Sequence, residues 1–323
     1  MKQNYFFAVL FSLVNLAIYG QSYAPSASAD GTTAIHRDSD VFKSWATGVT
    51  VVRGPQNITN PTGDLANFGV PENAIDKSND QIVSLGDGGT AILTFSIPIV
   101  NNAGFDFAVF ENSFDGLFLE LGFVEVSSDG VTFFRFPSHS QTQTETQVAS
   151  FGNLDATYIN NLAGKYRGSY GTPFDLDDIT DNILLDKSAI THVKIIDVIG
   201  TIDPTYATYD SYGNIVNDPY ATPFGSSGFD LDAVGVINEA TGLSLDAVNK
   251  ANALSLYPNP AVSKLYVSRA GTIAIYSITG SLVLKQLVSN KDTPVSIDRL
   301  KPGVYIVKLT TEVGLFTQKL IKK

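Results

Sequence analysis

Short runs in which apolar and polar residues alternate constrain the fold of this 323-residue chain more than any other feature. In residues 90–97, for example, Leu93, Phe95 and Ile97 alternate with Ile92, Thr94 and Ser96. A two-residue period is that of a β-strand with one buried face. Similar runs cover residues 104–110, 123–128, 131–136, 192–199, 229–237, 273–278, 282–287, 304–309 and 315–321. After the first twenty residues no helical period lasts three turns, so the pattern predicts an all-β protein.

Turn residues between neighbouring runs indicate antiparallel hairpins. Asp129-Gly130 separates two runs and predicts a tight turn in which both residues have positive φ. Thr279-Gly280 separates two later runs in the same way. We therefore expect a large antiparallel β-sandwich followed by a small immunoglobulin-like β-sandwich.

Residues 1–20 predict a secretory signal peptide. Met1 and Lys2 give a positive start, residues 5–19 are nearly all apolar, and small or polar residues follow from Gly20. The apolar stretch is too short to span a bilayer comfortably. No later stretch contains about 18 consecutive apolar residues, so we expect no transmembrane span in the mature chain.

The net charge of −11 is divided unevenly along the chain. Residues 21–253 contain 10 Lys and Arg against 29 Asp and Glu, whereas residues 254–323 contain 10 against 3. This asymmetry indicates an acidic passenger domain at residues 21–238, a linker at residues 239–253 and a basic domain at residues 254–323. An acidic passenger repels phosphates, which argues against a nucleic-acid partner. The absence of cysteine excludes disulfides and a thiol nucleophile.

Several segments of the basic domain carry a family resemblance. They are Leu256-Tyr257-Pro258-Asn259-Pro260-Ala261, Ile275-Tyr276-Ser277-Ile278-Thr279-Gly280, Leu300-Lys301-Pro302-Gly303-Val304-Tyr305-Ile306-Val307-Lys308 and Lys319-Leu320-Ile321-Lys322-Lys323. In this order, residues 254–323 resemble the type A sorting domain of the bacterial type IX secretion system. The resemblance assigns the sorting motif to Tyr257, Pro258, Asn259, Pro260, Gly280, Gly303, Tyr305 and Lys322.

This resemblance implies export in two stages. The signal peptide would take the chain across the inner membrane. The outer-membrane translocon and its sorting peptidase would then recognise the C-terminal domain. The expected location is the cell surface or the extracellular space.

The passenger resembles the jelly-roll sandwiches of galactose-binding-like domains, which include discoidin domains and carbohydrate-binding modules. The residues that carry the resemblance are the strand–turn–strand at 124–133, the strands at 88–95 and 192–196, and the closing Leu231-Asp232-Ala233-Val234. The chain departs from discoidin domains in lacking a cysteine pair and in having longer loops, so no sugar-contacting residue is transferred. The passenger also resembles secreted bacterial surface proteins of unassigned activity.

A short motif recurs at residues 104–107, 173–176 and 228–231, each time with Phe-Asp followed by Phe or Leu. In a strand with a two-residue period, this motif predicts that the apolar residues point inward and the Asp points outward.

The sequence provides no catalytic constellation. None of the three histidines has a zinc-binding spacing such as H-E-x-x-H, and no G-x-S-x-G nucleophile motif occurs. Glu111, Glu120 and Glu125 are the nearest candidates for paired-carboxylate catalysis, which needs two carboxyl groups about 5–9 Å apart.

The loop at residues 203–220 is the best candidate for a ligand site. Its oxygen-bearing side chains include Asp203, Asp210, Asn214, Asn217 and Asp218. Such ligands predict a structural Ca²⁺ ion, and Asx-turns that cap the loop are the alternative. Aromatic residues that could stack on sugars are Tyr206, Tyr209, Tyr212, Tyr220 and the single tryptophan, Trp45. For Trp45, packing in the interior is the alternative.

The leading hypothesis is a surface protein whose acidic sandwich binds a glycan or another extracellular ligand. One alternative is a secreted glycoside hydrolase or lyase that uses paired carboxylates. Others are a surface or adhesion protein without a small ligand and a nutrient-capture protein.

Overall fold

The computed structural model of the protein describes residues 22–240, 256–267, 270–290, 293–311 and 314–323. The predicted signal peptide lies outside the described residues. Within them, the regular structure is β-strand apart from three short 3-10 helices at Pro71–Ala74, Ala156–Tyr158 and Leu176–Asp178. The all-β prediction is therefore confirmed.

Thirteen strands lie in residues 22–240. They are β1 (Ile35–His36), β2 (Ser44–Trp45), β3 (Gly48–Val52), β4 (Val83–Ser84), β5 (Thr90–Ile99), β6 (Phe107–Glu111), β7 (Gly122–Ser127), β8 (Phe134–Arg135), β9 (His139–Ser140), β10 (Ile159–Asn160), β11 (Tyr170–Phe174), β12 (Ile190–Asp197) and β13 (Asp230–Val236). One sheet has the order β3-β5-β12-β7-β8. The other has the order β1-β11-β6-β13-β2, with β4 beside β13, and β9 pairs with β10.

The two large sheets pack face to face around one hydrophobic core. Leu93 and Phe95 point into this core from the five-stranded sheet, because burial alternates along β5. Phe107 and Phe174 enter from the other sheet, with ring centroids 5.3 Å apart, and Phe136 packs against both. Several phenyl rings are buried together in this core, so the core makes the main apolar contribution to the stability of the sandwich.

Both sheets are also covered on their outer faces. Phe123 and other apolar residues of the five-stranded sheet pack under the loops that contain Leu154 and Val216. On the opposite side, Phe42 and Trp45 cover Phe110 of β6. Every residue of β6 and β13 is consequently buried, so neither face of these central strands is exposed to solvent.

The C-terminal part contains seven described strands. They are β14 (Leu256–Tyr257), β15 (Lys264–Val267), β16 (Gly271–Ser277), β17 (Leu282–Val288), β18 (Val295–Ser296), β19 (Gly303–Thr311) and β20 (Gly314–Lys322). They form a three-stranded sheet, β14-β15-β18, and a four-stranded sheet, β17-β16-β19-β20. A separate hydrophobic cluster fills the space between them and includes Leu265, Ile275 and Val307.

The predicted hairpins form, but one turn differs from its prediction. Strands β16 and β17 pair across Thr279-Gly280, with φ of 83° at Gly280. Strands β7 and β8 pair only from Val126 opposite Phe134 onward, so their connection is longer than two residues. Gly130 has a φ of 71° but Asp129 does not have a positive φ. The Asp129 carboxylate instead accepts hydrogen bonds from the amides that follow the turn, which stabilises the longer loop.

Most of the predicted linker, residues 239–253, lies outside the described residues. Its first residues belong to the passenger structure, because Glu239 bridges to Ile99 and the Ala240 amide donates to Pro98 O at 3.0 Å. No helix among the described residues combines the length and the hydropathy needed to cross a bilayer.

Candidate functional site

An open groove of about 530 Å³ lies on the loop layer that covers the five-stranded sheet. Residues 139–145 form one side, and Tyr209 with residues 213–215 forms the other. We call it the polar groove, because most of its lining side chains are uncharged hydrogen-bonding groups, including Gln141, Gln143 and Asn214. Glu145 is the one carboxylate among the lining residues.

Asp210 holds the two sides of the polar groove together. One carboxylate oxygen accepts hydrogen bonds from the amides of Tyr212 and Asn214, both at 2.8 Å, and so forms the tip of the loop. The other accepts from the Ser140 amide at 2.9 Å and from Asn214 Nδ2 at 3.0 Å. A buried carboxylate with four donors has its hydrogen-bonding capacity satisfied, so this aspartate links its own loop to strand β9.

Aromatic side chains form one edge of the polar groove. Tyr209 is 46% exposed and Tyr212 is 69% exposed. The Tyr212 ring packs on His139, with centroids 4.4 Å apart, and His139 Nδ1 lies 2.5 Å from Tyr23 Oη. Burial raises the pKa of Tyr23, and the nearby Tyr212 and Asp210 raise it further. The loop therefore presents aromatic surface to solvent beside the polar side chains.

Several buried hydroxyl oxygens of residues that line this groove or directly precede its lining segments lack a hydrogen-bond partner among the described residues. They belong to Ser138, Ser140, Thr142 and Thr208. Buried hydroxyls are normally hydrogen-bonded to protein or water, and an unmade bond costs about 1–3 kcal/mol. Each of these oxygens is itself buried, so none of them is exposed to a ligand in the open groove.

The five residues of the predicted calcium site do not converge on one point. Asp203 is exposed and caps the Thr205 amide, whereas the buried Asp218 accepts from the Leu121 amide at 2.6 Å. Asn217 is buried and donates to Gln143 O at 2.6 Å. Within the described part of the chain, no three Asp, Glu, His or Cys side chains are placed to hold a metal ion. The residues do not fit one ligand set in this geometry, and calcium binding by the loop stays a prediction.

The predicted stacking residues are divided between several places. Tyr209 lines the polar groove, Tyr212 packs on His139 of its lining, and Tyr206 is half-buried nearby in the chain. Tyr220 donates its hydroxyl to Asn57 Oδ1 at 3.0 Å. Trp45 packs against Phe42 and Phe110 at 5.0 and 5.3 Å, which is the interior role given above as its alternative.

A cluster of buried carboxyl groups lies at one end of the sandwich, and it includes two of the three glutamates considered for catalysis. Burial and the charge of Asp230 raise the pKa of Glu111 and of Glu120 well above the usual range. Glu111 accepts from the Ser113 amide through one oxygen, while its other oxygen has no partner among the described residues. Glu125 lies elsewhere, on the outer sheet face, and pairs with Arg135 at 2.9 Å and Lys194 at 3.0 Å.

The prediction that Asp points outward in the recurring motif is wrong at two of its three positions. Asp106 is fully buried, and its oxygens accept from the amides of Asn102 and Leu176 at 2.9 and 2.8 Å. Asp230 is 8% exposed and accepts from the Ser84 hydroxyl. Both lie at the start of strands that are covered on two faces, where buried backbone amides need acceptors.

A row of phenylalanines near the buried carboxyl cluster was not predicted from the sequence. Phe114 stacks on Phe118 at 4.9 Å, Phe118 contacts Phe151 at 5.9 Å, and Phe151 stacks on Phe224 at 6.1 Å. Phe114 and Phe151 are 72% and 69% exposed. Their separation along the chain hides the row from any local sequence pattern.

The residues of the sorting motif join the two ends of the C-terminal domain. Asn259 donates through Nδ2 to Lys319 O at 2.7 Å and accepts from the Ile321 amide at 2.9 Å. Ala261 forms a parallel bridge with Lys322. The segment that contains Pro258 and Pro260 is thereby fixed against the last strand.

Other motif residues have local roles in the same sandwich. Tyr257 stacks on Tyr266 at 5.7 Å, and the Tyr305 hydroxyl donates to Lys301 O at 2.8 Å. Gly303 lies directly opposite the buried Lys322 in the pairing of β19 with β20.

Residues 255–323 match the family model described as the secretion system C-terminal sorting domain. These residues are a type IX sorting domain. Proteins with this domain are exported to the cell surface or the extracellular space, which confirms the predicted location of the protein. The domain also implies an interaction with the type IX secretion machinery. No curated protein matches the chain.

Proposed function

We propose that the exported protein binds an extracellular glycan in the polar groove of its passenger. The observation that carries this proposal is the combination of exposed tyrosine surface with uncharged polar side chains in one groove, at Tyr209, Gln141, Gln143 and Asn214. Sugars offer hydroxyl groups for hydrogen bonding and apolar C–H faces for contact with aromatic rings. The amides of Gln and Asn both donate and accept hydrogen bonds, which suits the hydroxyls of a sugar.

The electrostatics of the groove favour a neutral or weakly charged glycan. Residues 21–253 carry a large excess of acidic residues, and Glu145 adds a carboxylate to the groove lining. A polyanionic glycan would be repelled by this charge.

A glycan array that includes neutral and acidic polysaccharides, probed with the full chain, tests the proposal. Isothermal titration calorimetry on the best neutral glycan then compares wild type with Tyr209→Ala and Gln143→Ala. We expect the tyrosine variant to weaken binding about tenfold, because loss of a stacking contact is worth roughly 1–3 kcal/mol in comparable aromatic contacts. The absence of binding to every glycan would contradict the proposal.

Phe114→Ala is the control for Tyr209→Ala, since it also removes an exposed aromatic ring but lies in the phenylalanine row. We expect this control to bind like wild type. If Phe114→Ala lost binding and Tyr209→Ala kept it, the binding site would lie at the phenylalanine row and not in the polar groove. Release of new reducing ends during the same incubation would instead support the alternative of a glycoside hydrolase that uses Glu111 and Glu120.

A further inference from the structure

The outer face of the four-stranded sheet in the sorting domain is basic. In the register of the sheet, Ala274 of β16 lies directly opposite Lys285 of β17 and Lys308 of β19. Directly opposed residues project from the same face, so both lysines flank one small side chain. Lys319 of β20 lies opposite Ile306 and projects from that face too.

A groove of about 480 Å³ follows from this arrangement. It is lined by Thr272, Ala274, Tyr276, Lys285, Lys308 and Thr310. Ala274 forms its floor because its methyl group is short, while the lysines form the two sides. We call this surface, together with Lys319, the basic face.

The charge of the basic face is not balanced within its own sheet. The strands β16, β17, β19 and β20 contain four lysines and no Asp or Glu. Lys285, Lys308 and Lys319 form no ion pair with any residue in the described part of the chain. Opposite charges across neighbouring strands stabilise a sheet, whereas like charges destabilise it. An unbalanced basic sheet is therefore expected where a partner supplies the opposite charge.

Apolar side chains border the lysines. Leu287 is 71% exposed beside Thr272, and Val304 and Ile321, which oppose each other at the end of the sheet, are 43% and 37% exposed. Exposed apolar groups that are rimmed by polar side chains are a feature of protein–protein interaction sites. The face of the sheet that contains Ile273 and Ile275 is by contrast buried in the domain core.

The sorting motif has a structural role within the domain. Asn259 and the residues around it are engaged in fixing the first segment of the domain against β20. These contacts explain why a compact domain needs the motif, but they lie within the domain. The basic face takes no part in these contacts and is therefore open to a partner.

We propose that the basic face docks on an acidic protein surface of the type IX export machinery. Lys285, Lys308 and Lys319 supply the charge, and the groove over Ala274 accepts a side chain of the partner. Charge complementarity of this kind speeds association and excludes wrongly charged partners.

Export of the full chain tests the proposal. The triple variant Lys285→Glu, Lys308→Glu, Lys319→Glu is expressed in a bacterium with a type IX system, and immunoblots quantify the protein in periplasm, cell surface and medium. We expect about tenfold or greater loss of exported protein with accumulation in the periplasm, because like charges at an interface strongly disfavour docking. The variant Lys285→Arg, Lys308→Arg, Lys319→Arg is expected to be exported normally.

The matched control is Lys264→Glu, Arg299→Glu, Lys301→Glu. It makes the same change in net charge at exposed positions outside the four-stranded sheet. Circular dichroism and protease resistance of the purified chains show whether each variant is folded. Equal export of the basic-face variant and the control would overturn the proposal.

The test also separates a protein partner from an anionic polysaccharide at the cell surface. A partner in the export machinery leaves the basic-face variant in the periplasm. A polysaccharide partner leaves export intact and releases the variant into the medium, and this result would also overturn the proposal. A basic-face variant that fails to fold is replaced by the milder Lys→Gln triple variant, for which we expect partial retention.

Discussion

Replacing Asp230 by asparagine should make the passenger more stable at neutral and alkaline pH. Asp230 is buried at the end of the sandwich, where it accepts from the Ser84 hydroxyl. Burial raises the pKa of Asp230 from its usual 3.8 to about 7. An asparagine side chain at this position would keep an oxygen acceptor for Ser84 and remove the group that has to ionise.

The sign and size follow from the linkage between pKa and folding. A carboxyl group with a raised pKa in the folded state contributes stability that is fully present below pH 3.8 and is lost as pH rises through about 7. A pKa difference of about three units corresponds to about 4 kcal/mol, at about 1.4 kcal/mol for each unit. Between pH 4 and pH 8 the free energy of unfolding of the wild type should therefore fall by about 4 kcal/mol more than that of Asp230→Asn.

The fluorescence of Trp45 provides the assay. Trp45 is the single tryptophan of the chain and packs in the passenger against Phe110, so its signal reports on passenger unfolding without a contribution from the sorting domain. Urea titrations at pH 4, 6 and 8 give the free energy of unfolding for both proteins. Asp64→Asn is the control, because it makes the same substitution at an aspartate that lies exposed on a loop.

The reasoning would be refuted if the free energy of unfolding changed with pH in the same way for wild type and Asp230→Asn. Such a result would mean that Asp230 gains no proton on folding, through access of solvent or through a bound cation. The expected outcome is a difference that grows as pH rises above the usual pKa of 3.8 and levels off above about 7, where the folded protein has also lost the proton.

Three further predictions concern other parts of the chain. Phe174→Ala should cost the passenger about 3–5 kcal/mol, because its ring is fully buried 4.9 Å from Phe136, and an unchanged urea midpoint would contradict the packing described. Asn259→Ala should lower the stability of the sorting domain by about 1–3 kcal/mol through the loss of two hydrogen bonds to β20. Hydrogen exchange of the backbone amides of residues 319–323 checks this prediction. Unchanged protection of these amides in Asn259→Ala would contradict it. Millimolar CaCl₂ should leave the melting temperature unchanged because Asp210 and Asp218 already accept amide donors, whereas a rise that follows the calcium concentration would support the sequence prediction of Ca²⁺.

Strands and hairpins followed from the sequence because their signal is local. The alternation around Leu93 identifies β5, and Thr279-Gly280 identifies the turn between β16 and β17. The type IX sorting domain was likewise recognisable from short segments near the end of the chain. Each of these patterns spans only a few consecutive residues, so it survives without knowledge of the tertiary neighbours.

The burial of Asp106 and Asp230 could not be predicted in this way. A two-residue period assigns alternate faces of a strand, but it does not reveal whether the second face is also covered. Here Phe42 and Trp45 cover one sheet from outside, and neighbouring segments bring their hydrogen-bond donors to the aspartates. Whether the outer face of a sheet is covered depends on which segments pack against it, and these segments are distant in the sequence.

The sequence by itself determined the all-β class, the positions of longer strands such as β5 and β16, the uneven distribution of charge along the chain, and the address that directs export. Only the tertiary structure decided which residues share a site. The polar groove joins residues 139–145 to residues 209–215, and the basic face joins Lys285 to Lys308 through the intervening Ala274. The physical reason is that sheet register and loop packing bring distant segments together, whereas sequence periodicity acts only within one segment.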